Sequence, residues 1–536
     1  MTQSNELVSD YVIVGGGSAG AALAYRLSEN PAVSVTLLEA GGSYRKFFFT
    51  VPLGGALAYD NPRYNWGEWA EPDATRGGQR DYWPRGKVLG GSSSINGQIF
   101  VRGNREDYDR WRLAGNPGWG WDDVLPYFKK LETSLAFGGE YHGKDGPVHV
   151  SPVCSPHPLA ETFVQAAIQA GVPANPDLNG ARQEGVAQNQ VSQFNGRRDS
   201  TAWAYLDRAR QRPNLNIVTG AMATRVLFEG LRAVGVEFRR GSALSTARAR
   251  REVILSASAV GSAKLLMLSG IGPEAHLKDL GIPVLLNRPG VGSNLQDHCG
   301  PWMTWEMRQP TMNNQYNPFS LAKALLRWWR SKDGLMTMPG CESIAFVKSQ
   351  PDLKEADAQI HFTPVGLEHQ GSKHQIYKFA SVSLIPNLGN PIGRGDVRLR
   401  SADPADAPLI RPALMDERDL PAFVGLIHLC RKIMESTPMR EQVVREVSPG
   451  PAVSTEAEIV AYLKAKSLPH YHPVGTCKMG DDPAAVVDAR CRVHGVNGLR
   501  VVDASIAPTL VNANTNAMAI MIGERAADLI KADAAL

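Results

Sequence analysis

An α/β (α+β) fold in two lobes is predicted by three features of the chain. These are its length, a glycine-rich turn set between a strand-like and a helix-like run, and β-rich segments that recur far along the sequence. At 536 residues the chain exceeds what one hydrophobic core usually organises, so two lobes are expected. Hydrophobic residues make up 43% and charged residues 21%, the balance of an ordinary globular protein without long disordered tracts. A net charge of only +4, with no basic block interleaved with aromatics, lacks the electrostatic footprint of a nucleic-acid binder. Cys154, Cys299, Cys341, Cys430, Cys477 and Cys491 are scattered without C-x-x-C spacing, which predicts neither a metal site nor a disulfide framework. Residues 1–10 lack the basic and apolar regions of a secretion signal, and no apolar run reaches about eighteen residues. The expected location is the cytoplasm.

Taken in order, Tyr11 to Val14 reads as a strand that meets the cluster Gly15-Gly16-Gly17-Ser18-Ala19-Gly20. Ala21, Ala22, Leu23 and Leu27 then follow a helical pattern, and Val33 to Leu38 forms a second strand ending at Glu39. From Gly41 to about Trp121 the abundance of Gly, Pro and aromatic residues predicts loops wrapped over a ligand. Phe163 to Ala170 and Thr201 to Gln211 read as helices. Strands are expected at Leu215 to Thr219, Thr224 to Phe228, Ala233 to Phe238 and Arg251 to Ser256, with a helix near Gly261 to Leu268. Strands Gln359 to Phe362 and Phe379 to Ile385, with a helix over Leu420 to Ser436, fall to a substrate-facing lobe. Leu499 to Val502 is the last strand and Asn516 to Ile530 the last helix. The cofactor lobe is therefore expected from residues 8–155, 210–300 and 467–532, and the substrate lobe from 156–209 and 301–466.

The first turn carries chemistry. In G-x-G-x-x-G, Gly15 allows the tight turn, Gly17 admits backbone N–H groups to a pyrophosphate, and Gly20 lets the helix pack on the strand. Glu39, at the end of the next strand, supplies the carboxylate that a ribose hydroxyl pair requires. Strand, turn, helix and acid together predict a Rossmann-like lobe for a dinucleotide with a free 2′-hydroxyl, FAD or NAD.

A second glycine cluster follows, Arg85-Gly86-Lys87-Val88-Leu89-Gly90-Gly91-Ser92-Ser93-Ser94-Ile95-Asn96, with Arg102-Gly103-Asn104 and Asp107-Tyr108-Asp109-Arg110-Trp111 after it. It resembles the first signature of the glucose-methanol-choline (GMC) oxidoreductases. The run SAVGSAKLLMLSGIG, Ser258 to Gly272, resembles the second, departing from it at Ala263. Pro289 to His298, Tyr471 to Cys477 and Val501 to Ser505 are similar to further family segments, so the resemblance runs from about residue 8 to 532. Within the family the chain looks most like choline dehydrogenase-like and FAD-dependent alcohol dehydrogenases.

The resemblance implies FAD rather than NAD. It places Val226 on the adenine through its backbone, Asp503 near the ribityl or pyrophosphate, and Gly91, Ser92 and Asn96 along the flavin. It extends the expected cofactor contacts to Ser18, Ala19, Ala40, Arg85, Val88, Gly90, Gly97, Ser258, Ala504, Asn516, Ala517 and Met518. Some members attach FAD through a His before that Asn; Ile95 stands there, so noncovalent FAD is expected. His472 corresponds to the family's base and Asn516 to the residue opposite it on the substrate oxygen. An imidazole suits this task, because an alkoxide donates hydride far better than an alcohol and neutral imidazole takes the hydroxyl proton. Close relatives read Ala-Pro-Thr after that Asn where Ala517-Met518-Ala519 stands. The helix beginning there keeps its N-terminal N–H groups for the charge that grows on the flavin. Asn516 also suits a helix cap. His470 reads as a cavity-lining residue, and His298 and Cys477 as packing residues.

The implied reaction is oxidation of a primary alcohol to the aldehyde, with hydride passing to the flavin and oxygen or a quinone as final acceptor. Choline oxidation proper, or a same-fold lyase with structural FAD, are the alternatives. Trp302, Trp305, Phe362, Phe379 and Leu335 to Met338 read as core or pocket wall, and Glu342 as a group able to attract a cation. Leu321 to Lys332 reads as a basic amphipathic helix, either core-facing through its tryptophans or in peripheral contact with the inner membrane. A monomer or homodimer is expected.

Overall fold

The first strand begins earlier than its apolar run. In the computed structural model, which describes residues 6–370 and 373–535, β1 spans Glu6–Val14. Its polar start is held by a long partner: Glu6 to Ser9 pair with Thr246 to Ala249, and Tyr11 to Val14 with Glu252 to Leu255. Pairing with an existing strand thus makes strand of residues whose own pattern gives no such signal. Helix α1 (Ser18–Leu27) and β2 (Val35–Glu39) complete the predicted unit. Strands β3 (Leu215–Thr219), β4 (Met222–Glu229), β5 (Arg232–Arg240), β6 (Ala243–Leu255) and β7 (Leu499–Val501) join them.

The sheet runs β3-β2-β1-β6-β5-β4, with β7 also beside β6. Pairings among β3, β2, β1, β6 and β7 are parallel, whereas β4, β5 and β6 pair antiparallel. Val12, Ile13, Leu37, Val253, Ile254 and Val501 are fully buried, as a parallel sheet covered on both faces requires. Helix α2 (Ser258–Leu268) follows β6, and the chain's last helix returns to pack on α1.

A second, antiparallel sheet of six strands is ordered 443–448, 303–307, 381–388, 358–363, 343–347 and 185–188. It has its own core, to which Trp305 and Phe362 belong. Helices Pro158–Gln169 and α4 (Leu420–Glu435) pack there. The core-facing reading therefore holds for both aromatics.

Two expectations are refined. Within the loop-rich segment 41–121 a helix that the composition does not announce spans Arg105–Leu113. Its N-terminus is the Asn104/Asp107 capping box, in which each side chain accepts from the other's backbone N–H at 3.0 Å. The basic amphipathic segment forms α3 (Pro318–Ser331) and splits its tryptophans: Trp328 is buried, while Trp329 is 65% exposed. Among the described residues no helix is long and apolar enough to cross a membrane.

Candidate active site

A cavity of about 540 Å³ runs from the glycine turn after β1 to His472. At one end lie Gly15, Gly17, Ser18, Ala19, Glu39 and Ala40, followed by Arg85, Gly91, Ser92, Asn96, Gly97, Ser258, Asp503, Ala504 and Asn516. At the other lie Tyr59, Trp302, His361, Leu367, His374, Ile385, Leu468, His470, Tyr471, His472 and Asn514.

The residues at the first end fit a dinucleotide. Helix α1 starts from Gly17 with no side-chain cap, so its first-turn N–H groups are available to an anion such as a pyrophosphate. Gly20 is outside the lining; a Cβ there would overlap the Gly15 carbonyl, so its absence lets α1 close on the turn. Gly91 has φ +53°, and a Cβ on it would come within 2.8 Å of Gly17 Cα. The two glycine loops thus abut with backbone alone, leaving a smooth wall. Glu39 is buried and accepts N–H bonds from Gly16 (2.8 Å) and Gly41 (2.7 Å). Burial nonetheless pushes its carboxyl up to about 7. Asp503 accepts from the N–H groups of Ser258 (2.9 Å) and Ser505 (2.8 Å) and is likewise raised by burial. Arg85 pairs with Glu68 and donates to Ser258 Oγ at 2.7 Å.

Several predicted contacts lie elsewhere. Val226 does not line the cavity and its N–H donates to Ser269 Oγ at 2.8 Å; Ala221, Met222 and Ala223 stand at the wall instead. Val88 and Gly90 sit behind the lining, where the Gly90 N–H donates to the Gly16 carbonyl at 2.7 Å. Ala517 and Met518 are fully buried in the first turn of α5 (Asn516–Ala534).

Asn516 corrects the picture at the catalytic end. Its Oδ1 accepts from Ser18 Oγ at 2.7 Å, tying the start of α5 to the start of α1. The amide opposite the imidazole is that of Asn514, whose Nδ2 lies 3.1 Å from His472 Nε2. His298, expected only to pack, instead places its Nδ1 2.9 Å from His472 Nδ1. Cys477 is fully buried in the core, as expected. His470 lines the cavity. Glu342 does not: it is fully buried, accepts from the His157 N–H at 2.7 Å, and is pushed up to about 7 by that burial.

His472 is presented by a strained turn. Tyr471 has φ +65°, and its hydroxyl meets that of Tyr59 at 2.7 Å. The His472 N–H donates to Asp297 Oδ1 at 2.7 Å. Burial, reinforced by His298, His470 and His361, holds the His472 imidazole well below its ordinary pKa. A neutral imidazole facing a cavity is the state in which it accepts a proton.

Two models described as GMC oxidoreductase match residues 9–300 and 391–523. The chain belongs to the GMC oxidoreductase family. Oxygen-dependent choline dehydrogenase of Rhizobium johnstonii is 44% identical over 528 residues, covering 97% of this chain and 95% of that protein. Among solved structures, pyridoxine 4-oxidase from Mesorbium loti superposes with a TM-score of 0.88 at 31% identity, covering 98% of this chain and 99% of that one. An FAD-dependent oxidoreductase from Chaetomium thermophilum does so with a TM-score of 0.89 at 28% identity, over 98% and 100%. The family's cofactor is FAD, and the cradle described above fits it.

Tyr59, Asn514, His298, His361 and His374 were not legible as site residues. Each comes from a different segment of the chain, so no local spacing in the sequence brings them together.

Proposed function

We propose that this FAD-dependent alcohol oxidoreductase oxidises an uncharged primary alcohol to the aldehyde, with His472 as general base. The observation that carries the reading is the pairing of a neutral, buried imidazole with an amide donor, Asn514, in the cavity that also contains the dinucleotide cradle. Bound FAD supplies the two-electron acceptor for the carbinol hydride. His472 takes the hydroxyl proton at a ring nitrogen, and Asn514 Nδ2, which donates to His472 Nε2 at 3.1 Å, is near enough to donate to the oxygen of a hydroxyl that takes its place. Asp297 fixes the backbone from which His472 projects. Tyr471 and Tyr59 close the wall beside the imidazole and limit water. Glu39, the α1 N-terminus, Asp503, Ser92 and Asn96 would hold the cofactor; Ile95 offers no nucleophile for a covalent link, so we take FAD as dissociable.

Substrate class follows from charge. The carboxylates among the described residues lining the cavity are Glu39, Glu68 and Asp503, all engaged at the cofactor end. Around His472 the wall carries no carboxylate: it is made of Tyr59, Trp302, Leu367, His374, Ile385, Leu468 and His470, and burial lowers the pKa of His374. A quaternary ammonium desolvated there would have aromatic faces but no counter-charge, which is costly. This favours an uncharged alcohol even though relatives at 44% identity are named for choline. The word oxygen in those names supports oxygen as acceptor.

Anaerobic mixing of the yellow holoenzyme with benzyl alcohol, a straight-chain primary alcohol and choline tests the reading. Bleaching by the neutral alcohols with little effect of choline is the expected outcome, and recovery of colour on admitting air identifies the acceptor. Efficient bleaching by choline alone would overturn the substrate class, and no bleaching by any alcohol the reaction itself.

A further inference from the structure

His298 takes no part in the chemistry above, yet both of its ring nitrogens are engaged. Its Nε2 lies 3.0 Å from the Gly389 carbonyl oxygen. A carbonyl only accepts, so Nε2 carries the ring proton. The ring is fully buried, and that burial holds its pKa to about 4 against the opposing pull of the Gly389 and Val511 carbonyls. At neutral pH it therefore has one proton, and its Nδ1 is a bare lone pair. His472 Nδ1 sits 2.9 Å away. Two nitrogens at that distance share one proton, and His298 Nδ1 has none to give. The proton is on His472 Nδ1. A neutral His472 then has its own lone pair at Nε2, where the facing group, Asn514 Nδ2 at 3.1 Å, is a donor.

We propose that His298 is a positioning residue that fixes His472 in the Nδ1–H tautomer, so that the lone pair at Nε2, to which Asn514 Nδ2 donates, can accept from an alcohol hydroxyl that takes the place of that amide. The proposal rests on the reading of His472 as base. Without a partner at Nδ1 an imidazole carries its proton on either nitrogen, and the Nε2–H form has nothing with which to accept. When Nε2 takes the hydroxyl proton, the Nδ1–H bond to His298 remains and strengthens, because its donor is then charged. The carbonyl, the two imidazoles and the Asn514 amide thus form one chain of hydrogen bonds with a single proton arrangement that leaves Nε2 as acceptor. The backbone supports the alignment: Asp297, adjacent to His298, accepts the His472 N–H at 2.7 Å, and the His470 N–H donates to the His298 carbonyl at 2.8 Å.

The deciding measurement is the ¹⁵N spectrum of histidine-labelled holoenzyme, with the two rings assigned by the signals lost in His472→Gln and His298→Asn. His472 is expected to show a protonated Nδ1 and a bare Nε2, and His298 the reverse. His298→Leu removes the acceptor and is expected to lower kcat/KM on the best alcohol by about 100-fold, within the range of general-base contributions. In His298→Asn the Oδ1 stands where Nδ1 stood, and recovery to within about tenfold of the parent is expected. A wild-type His472 protonated at Nε2 overturns the proposal without any comparison of rates. So does an FAD-replete His298→Leu enzyme with parental kcat/KM. Failure of the underlying base assignment is distinct: it would appear as sustained turnover in His472→Gln while the tautomers stay as described.

Discussion

The two ends of the cavity are built on opposite principles. The cofactor end is shaped by backbone, with Gly17 and Gly91 in contact and helix N–H groups left uncapped, and its carboxylates are bonded to N–H groups at 2.7 to 2.9 Å. The substrate end is shaped by side chains brought from five or more segments, and burial lowers the pKa of its imidazoles His361, His374 and His472. An anionic dinucleotide needs fixed donors, which backbone supplies at little entropic cost. Proton transfer needs a group free to change charge. The difference teaches that damage at one end is a binding defect and damage at the other a rate defect.

The largest expected effect breaks the substrate end alone. His472→Ala is expected to retain bound FAD while kcat falls by about a thousandfold, within what a positioned base contributes. Absorbance of the purified protein reports the first quantity and steady-state turnover the second. Loss of FAD together with activity would show that the two ends are not separable. The converse change is Gly91→Ala. Its Cβ would come within 2.8 Å of Gly17 Cα at a φ of +53°, forcing the two loops apart. A cost of about 1–3 kcal/mol is typical of such backbone conflicts. It should appear as FAD binding weakened by about tenfold or more, measured by fluorescence titration of apoprotein, with kcat of the saturated enzyme little changed.

The same contrast explains what the sequence discloses. Gly15 to Gly20 and Glu39 are legible because a turn, a helix start and a strand end lie within one local unit, where spacing dictates geometry. Val226 fails for a local reason of another kind. The resemblance places it on the adenine, but it lies past a slip in the β4–β5 pairing between Ala223 and Arg225, beyond the wall that Met222 and Ala223 form. Arg102 to Asp107 reads as part of a motif while acting as a helix cap, since the capping box and the signature share residues. His298 is 174 positions from His472, and no periodicity links two turns so far apart. Asn514 and Asn516 are two residues apart in a segment that becomes helical only at Asn516, so the choice between them depends on the turn.

That choice gives the next sharpening test. Asn514→Ala removes the donor to His472 Nε2 and is expected to reduce kcat/KM by about tenfold, the worth of one hydrogen bond of about 1–1.5 kcal/mol. Asn516→Ala removes the acceptor for Ser18 Oγ and is expected to affect FAD affinity more than kcat. Equal effects of the two on kcat/KM at saturating FAD would return Asn516 to the catalytic end.

The smallest effect is a displacement on the pH axis, and its sign separates the two ends again. The active form of His472 is neutral. Its pKa in the folded protein is depressed by burial and by His298, His470 and His361, so lowering the pH through the ordinary imidazole value of about 6.5 leaves it a base. Activity should fall only below that value, as the depressed pKa is reached. His298, held to about 4, adds a second protonation at the foot of the same limb: a charged His298 would donate to His472 Nδ1 and leave the proton of His472 on Nε2. Asp297, raised by burial and bonded to the His472 N–H, titrates within the same cluster, so the limb belongs to the group and not to one residue. Glu39 moves the other way. Its carboxyl is raised to about 7, so it ionises as pH rises through neutrality, and FAD affinity is expected to change there while kcat of the saturated enzyme does not. An acid limb of kcat/KM centred at or above pH 6.5 in FAD-saturated enzyme would mean that the imidazole is hydrated, and that the dry, neutral character ascribed to the substrate end is mistaken.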